Sequence, residues 1–271
     1  ALACRACREP ARCPACSASL TLPTGSAAPT CGWCARVSPG WRCPFCSGAE
    51  LRARVVGSRR TAEELGRAFP SVPVRTSGRE AVLTTVGPEP ALIVCTPGAE
   101  PRAEGGYAAG LLLDGWALLG RPDLRASEET LRRWLNAAAL VRPAADGGTV
   151  VVLADGALPP VQALLRWDPA TFATRELDDR AALGFPPAAR VAALSGPRDA
   201  VGDLLASMRL PDAAQVLGPV PVDDDTVRTL VRVPRAQGSA LTAALRAGQG
   251  MRSARKAAEH VRVQVDPVQL G

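Results

Sequence analysis

Histidine, lysine and tyrosine are nearly missing from this chain, with one of each among 271 residues: His260, Lys256 and Tyr107. A single imidazole and a single ammonium leave little to move protons or grip a nucleotide phosphate. No Gly-x-x-x-x-Gly-Lys-Ser/Thr loop occurs either. His260 precedes an apolar stretch without a partner that would make it a base, so a structural role is expected of it. No run of about 18 apolar residues exists, which argues against a membrane span. Aromatic residues make up only 4% of the chain. No methionine opens it: Ala1 directly precedes the first cysteine pair, which reads as part of a longer polypeptide.

Cysteine is abundant, and it is concentrated. Eight of the nine cysteines form four Cys-x-x-Cys pairs in the first 46 residues: Cys4/Cys7, Cys13/Cys16, Cys31/Cys34 and Cys43/Cys46. Each pair places two thiolates one tight loop apart, and a tetrahedral zinc ion takes two such loops at roughly 2.3 Å per bond. Four pairs supply two Zn2+ ions. A disulfide scaffold would suit a small secreted protein better than a chain of this length with one further cysteine. Two groupings are open: consecutive pairs can cooperate, or the outer pairs (Cys4, Cys7, Cys43, Cys46) can enclose the inner ones (Cys13, Cys16, Cys31, Cys34). The nested form is preferred, because it closes a hairpin over 13–34 and lets the chain enter and leave at one base. Four-sulfur shells have no open position for a nucleophilic water, so the metal is expected to be structural.

At 28.1 kDa and 47% hydrophobic residues the chain can bury a core, and its length suits two compact domains beside the cysteine module. The net charge is +6. In the first 60 residues nine arginines face Glu9 and Glu50, a formal +7. Eight thiolates with two zinc ions contribute −4, which leaves the metallated module near +3. That bias suits a phosphate backbone without requiring one.

After the module, strands are read at 52–56, 72–74, 91–96, 110–114 and 149–154. They alternate with helices at 61–69, opened by a Thr61-Ala-Glu-Glu64 capping box, and at 127–139. Strands alternating with helices predict an α/β parallel sheet with apolar strands in its middle. Cys95, in one of them, is expected in the core. Residues 167–189 read as a connecting helix and linker ending at Gly184-Phe-Pro-Pro187. From 190 a strand at 191–194, a helix around 201–208, strands at 215–222 and 226–233, a helix capped by Ser239 and a strand at 261–265 spell β-α-β-β-α-β. That is the split βαβ, or ferredoxin-like, order of an α+β domain. The boundaries are therefore 1–50, 51–166, 167–189 and 190–271.

The motifs carry a resemblance. Leu2-Ala-Cys-Arg-Ala-Cys7, Ala11-Arg-Cys-Pro-Ala-Cys16, Cys31-Gly-Trp-Cys34 and Cys43-Pro-Phe-Cys46 resemble the zinc insertion of the PriA family of primosomal replication-restart proteins. The likeness continues through Glu63-Glu-Leu65, Phe69-Pro70, Pro122-Asp-Leu-Arg-Ala126 with Glu128, Phe185-Pro-Pro187, Leu217-Gly-Pro219 and Val265-Asp-Pro267. It implies a C-terminal half. The second RecA-like helicase lobe would carry the two-zinc module as an insertion, with the nested ligand sets, and the family's C-terminal domain would follow. It also implies a cytoplasmic, nucleoid-associated role in replication restart. The implied partners are forked and single-stranded DNA, the replicative helicase with other primosome proteins, and single-strand DNA-binding protein, with no membrane.

Two departures from the family pattern matter. Where its helicases carry Gly-Thr-Gln after the third strand, this chain has Cys95-Thr-Pro97. Where two arginines should face ATP, Leu140 and Pro143 stand. An arginine finger is worth roughly 10³–10⁵ in rate, so a non-enzymatic helicase homologue with vestigial ATP binding is expected. The alternatives are an active 3′–5′ helicase and a zinc-ribbon interaction scaffold. Without a motor, arginines on phosphates and aromatic faces on unpaired bases would do the binding. The candidates are Trp33, Trp41, Arg228, Arg232, Arg235, Arg252, Arg255 and Lys256. Trp33, Trp41 and Phe45, in or beside the cysteine loops, can equally form the small hydrophobic cap such a module needs.

Overall fold

A computed structural model describes residues 2–17, 19–23, 28–31, 34–53, 57–113, 115–121 and 123–267. Its compact units are Ala1–Pro169 and Ala170–Gly271. The boundary falls within the segment read as a joint, so most of the connecting helix belongs to the second unit.

The first unit begins with the cysteine module. Strand β1 (Leu2–Cys4) pairs antiparallel with β4 (Leu51–Ala53), with Leu2 opposite Ala53 and Cys4 opposite Leu51. Between them β2 (Leu20–Thr21) and β3 (Thr30–Cys31) form a smaller antiparallel pair. The module thus has one base through which the chain enters and leaves. Its core is the cluster of Leu2, Cys4, Ala11, Cys13, Leu20, Cys31, Trp41 and Cys43.

Helix α1 (Ser58–Ala68) starts three residues before the expected capping box. The Thr61 amide already donates to the Gly57 carbonyl. The pairs Arg59–Glu63 at 3.6 Å and Arg60–Glu64 at 3.0 Å support the early turn at i,i+4 spacing. Four further strands follow: β5 (Val74–Ser77), β6 (Thr85–Val86), β7 (Leu92–Cys95) and β8 (Arg102–Ala103). They pair in parallel as β5–β7 and β6–β8. The strand expected at 72–74 moves C-terminally because Val72 N–H closes a turn onto Phe69.

Strand β9 (Ala109–Leu112), α2 (Gly115–Leu119), α3 (Ala126–Ala138), β10 (Thr149–Val152) and α4 (Pro159–Arg166) complete the unit, with β9 and β10 parallel. Helix α3 buries Thr130, Leu131, Trp134 and Ala138 on one stripe, and α4 buries Val161, Ala163 and Leu164. The apolar strands are not the buried centre the sequence predicts. Val150 and Val151 are exposed and β7 is half-buried throughout. Among the described residues each parallel strand has one neighbour only.

The second unit follows the order read from the sequence. Helix α5 (Pro169–Leu183) opens it. Strand β11 (Ala189–Gly196), α6 (Arg198–Ser207), β12 (Gln215–Pro221), β13 (Val227–Pro234), α7 (Gly238–Ala254) and β14 (Arg262–Val265) then build an antiparallel sheet in the order β12-β13-β11-β14. Val227, Thr229, Val231 and Val233 are buried on β13 while the residues between them are half-buried. Leu194, Leu204, Val231, Leu241 and Leu245 form the core with the two helices. Ser239 is no cap. It lies inside α7, whose start is set by a 3₁₀ turn at Arg235–Gln237.

Candidate metal centre

Each Cys-x-x-Cys pair folds the same way. The residue after the second cysteine is left-handed in all four: Arg8 (φ 66°), Ser17 (57°), Ala35 (56°) and Ser47 (59°). Its amide donates to the carbonyl of the first cysteine, at 3.0, 2.9, 3.1 and 2.9 Å in that order. None of the four is glycine, although the conformation costs an L-residue roughly 1–2 kcal/mol. In each pair the first cysteine is buried and the second exposed.

The nested grouping is what the loops produce. Cys4, Cys7, Cys43 and Cys46 come together, and so do Cys13, Cys16, Cys31 and Cys34, with all sulfurs of a quartet within 4.8 Å of one another. In the outer quartet Cys4 and Cys46 lie 3.5 Å apart, as do Cys7 and Cys43. In the inner one Cys16 lies 3.4 Å from Cys31, and Cys13 3.7 Å from Cys34. A tetrahedron with bonds of roughly 2.3 Å has edges of about 3.8 Å, so the donor set fits a four-thiolate metal ion. Disulfides would need about 2.05 Å.

The electrostatics point the same way. The Cys7 amide, helped by that of Ala6, draws the Cys4 thiol down to about 7. The Ala15 amide draws Cys13 down to about 7 as well. Cys7 goes the other way: the Glu9 amide favours its thiolate, but partial loss of hydration and the three neighbouring sulfurs outweigh it and push the thiol up to about 12. Thiolates this close cannot all ionise without a cation between them. Gly48 lets the outer sulfurs pack closely, since a Cβ there would sit 3.3 Å from both Cys4 Sγ and Cys46 Sγ. Cys95 stands apart at the end of β7, half-buried, its thiol raised to about 11 by burial and Glu100.

The candidate nucleic-acid residues divide. Trp33 lies outside the described residues. Trp41 is buried, and its Nε1 donates to the Arg12 carbonyl. Four arginines serve the second unit's own structure. Arg232 Nη1 donates to Leu183 O at 2.8 Å and Gly184 O at 3.2 Å, while its other nitrogens reach Gln215 Oε1. Arg235 donates to Pro187 O, Arg228 to Ser195 Oγ, and Arg252 to Ala200 O and Glu259 O. Arg255 and Lys256 lie exposed at the end of α7, and His260 is exposed before β14. The residue the sequence undervalued is Phe45, at 83% exposure. Its position as the fourth letter's neighbour in a Cys-x-x-Cys tip was the available signal.

Leu140, Pro143 and the segment after β7, compared above with family motifs, are also placed. Leu140 and Pro143 flank the turn from α3 toward β10. Between them Val141 bridges to Tyr107 and the Arg142 amide donates to Tyr107 O. Beyond β5 and β7, Ser77 Oγ donates to Ala99 O at 2.6 Å and accepts from the Leu83 amide, and the Glu100 carboxylate accepts from Gly98 N–H.

Known proteins match this chain along its whole length. A "Probable replication restart protein PriA" of Mycobacterium leprae is 51% identical over 283 aligned residues, covering 100% of this chain and 44% of the relative. That of Mycobacterium tuberculosis is 50% identical over 290, again covering 100% and 44%. The chain thus spans less than half the length of these relatives. The sequence profile of the primosomal protein N C-terminal domain matches residues 181–268.

Proposed function

This chain belongs with the replication restart proteins named PriA, and from that premise we propose that it binds abandoned or stalled forks and promotes reloading of the replicative helicase, without helicase activity of its own. The observation that carries the reading is identity near 50% over every residue of the chain, cysteine module and second unit included. On this reading the two quartets hold zinc. Each ion would contribute folding energy, which in zinc-finger peptides is on the order of 10–16 kcal/mol of binding free energy.

The alternating strands and helices from 58 to 166 serve as a RecA-like lobe kept as a scaffold. Supporting this, Leu140 and Pro143 offer no cation to a developing phosphate charge. The loops beyond β5 and β7 spend their polar groups on one another, through Ser77, Ala99 and Glu100. Affinity then comes from arginines on phosphates. It acts beside single-strand DNA-binding protein and other primosome proteins, at the nucleoid in the cytoplasm, because its ligand is there.

Two measurements test the reading. Gel shifts with forked, single-stranded and blunt duplex DNA at graded salt should give fork binding that weakens steeply as salt rises. An ATPase assay on the full-length polypeptide with forked DNA should give no DNA-stimulated turnover. Robust turnover would overturn the motor-free assignment, and absence of any fork binding would overturn the whole reading.

A further inference from the structure

The four Cys-x-x-Cys turns each present two residues at a tip, between ligands that fix the backbone on both sides. All the described tip residues are exposed: Arg5, Ala6, Pro14, Ala15, Pro44 and Phe45. Phe45 is the only aromatic among them, and at 83% it is the most exposed large apolar side chain described. Its neighbours Cys43 and Cys46 belong to the outer quartet and Pro44 restricts the turn, so the ring is held out in advance of any ligand. Leaving a phenylalanine in water forgoes roughly 1.5–3 kcal/mol of burial.

The surroundings identify what the ring would meet. Arg42 precedes the turn, and the facing turn of the same quartet carries Arg5 and Arg8, all three exposed; Arg5 pairs with Glu50 at 3.2 Å, which leaves Arg8 and Arg42 as the cations nearest in the two turns. The sequence around Phe45 is Arg42-Cys-Pro before and Cys46-Ser-Gly after, and among the described residues the other exposed large apolar side chains of the module, Leu22 and Val37, lie on the inner segment. A protein hot spot needs a pocket and an apolar surround that sheds water. A rigid aromatic face among guanidinium groups is instead the arrangement that holds an unpaired base and its flanking phosphates. No aromatic residue follows Phe185, and Phe172 on α5 is buried, so the sheet of the second unit with α6 and α7 has no ring to offer a base.

We infer that Phe45 is a stacking platform for one unpaired base of single-stranded DNA, with Arg8 and Arg42 on the adjoining phosphates. This rests on the DNA-binding reading above, and the experiment separates the two. The full-length, metal-loaded protein and its Phe45→Ala and Phe45→Trp variants are titrated with single-stranded oligonucleotide and with blunt duplex at several salt concentrations, with metal content measured for each. Phe45→Ala should weaken single-strand binding by about 5- to 150-fold with the salt slope unchanged, and Phe45→Trp should restore it. Duplex affinity and metal content should stay as in the parent. A parent that binds single strands and a Phe45→Ala variant that binds them equally well would overturn the inference alone, as would equal losses on duplex and single strand. A parent that binds no DNA would overturn the underlying reading as well.

Discussion

The indole Nε1 of Trp41 donates to the carbonyl oxygen of Arg12 at 3.3 Å. The bond joins the segment leading into the last cysteine pair to the one leading into the second, and the ring belongs to the buried cluster that holds Cys4, Cys13, Cys31 and Cys43. Trp41 is therefore the cap of the module. Trp41→Ala should cost about 3–5 kcal/mol and speed metal release to a chromogenic chelator. Trp41→Phe should cost about 1 kcal/mol for the lost hydrogen bond, provided the ring stays packed.

The two quartets need not be equal. The outer one joins the turn that follows β1 to the turn that precedes β4, whereas the inner one closes only the hairpin between them. Cys16→Ser should remove one metal equivalent and leave the other. Cys46→Ser should lose its own ion and also weaken the β1–β4 base, so the inner ion should then leave faster. Metal stoichiometry by native mass spectrometry, with and without chelator, checks both outcomes.

How legible was this? The eight ligands follow from cysteine spacing, which leaves two groupings open and favours the nested one only through the need for a single base, and the alternation on β13 reveals its buried side. The left-handed residue closing each turn is hidden, because Arg8, Ser17, Ala35 and Ser47 carry no glycine signal. Arg232 and Arg235 read as solvent-facing cations, since no local pattern tells that the carbonyls of Leu183, Gly184 and Pro187 come within reach. The start of α1 is hidden for a related reason: arginine–glutamate pairs hold a turn that the capping box places outside the helix.

The left-handed turns give a direct test. Ser47→Gly removes the Cβ strain but adds chain entropy to the unfolded state, so it should be neutral or stabilising by up to about 1 kcal/mol. Ser47→Val should destabilise by about 1–2 kcal/mol, because a β-branched residue resists that conformation. Chelator competition at constant pH measures both.

Asp266 and Val191 bond reciprocally. The Asp266 amide donates to Val191 O at 2.7 Å, and Oδ1 accepts from the Val191 amide at 3.1 Å. The second carboxylate oxygen pairs with Arg190 at 2.9 Å, and Asp266 itself has φ 47°. Asparagine keeps the acceptor and tolerates the backbone, whereas alanine keeps neither. Asp266→Ala should therefore cost about 1–3 kcal/mol in denaturant unfolding, and Asp266→Asn clearly less.

On α3 the Glu129 carboxylate accepts from Arg132 at 2.8 Å and from Arg133 at 2.7 Å. Those bonds, Arg132 first, hold it down to about 2 from an ordinary value of 4.5 against the opposing effect of desolvation. A carboxyl lowered on folding stabilises the protein above its unfolded value and stops doing so as pH falls from about 4.5 toward 2. The side chain is 36% exposed, so solvent screening limits the contribution to about 1 kcal/mol or less. Glu129→Gln should then be less stable than the parent at pH 7, with the gap narrowing below pH 4.5 and closing near pH 2. Acid also strips metal from the thiolates, but it does so in both proteins, so the difference between their unfolding curves isolates Glu129. A gap that stayed constant across that range would place the stabilisation in side-chain packing instead of charge.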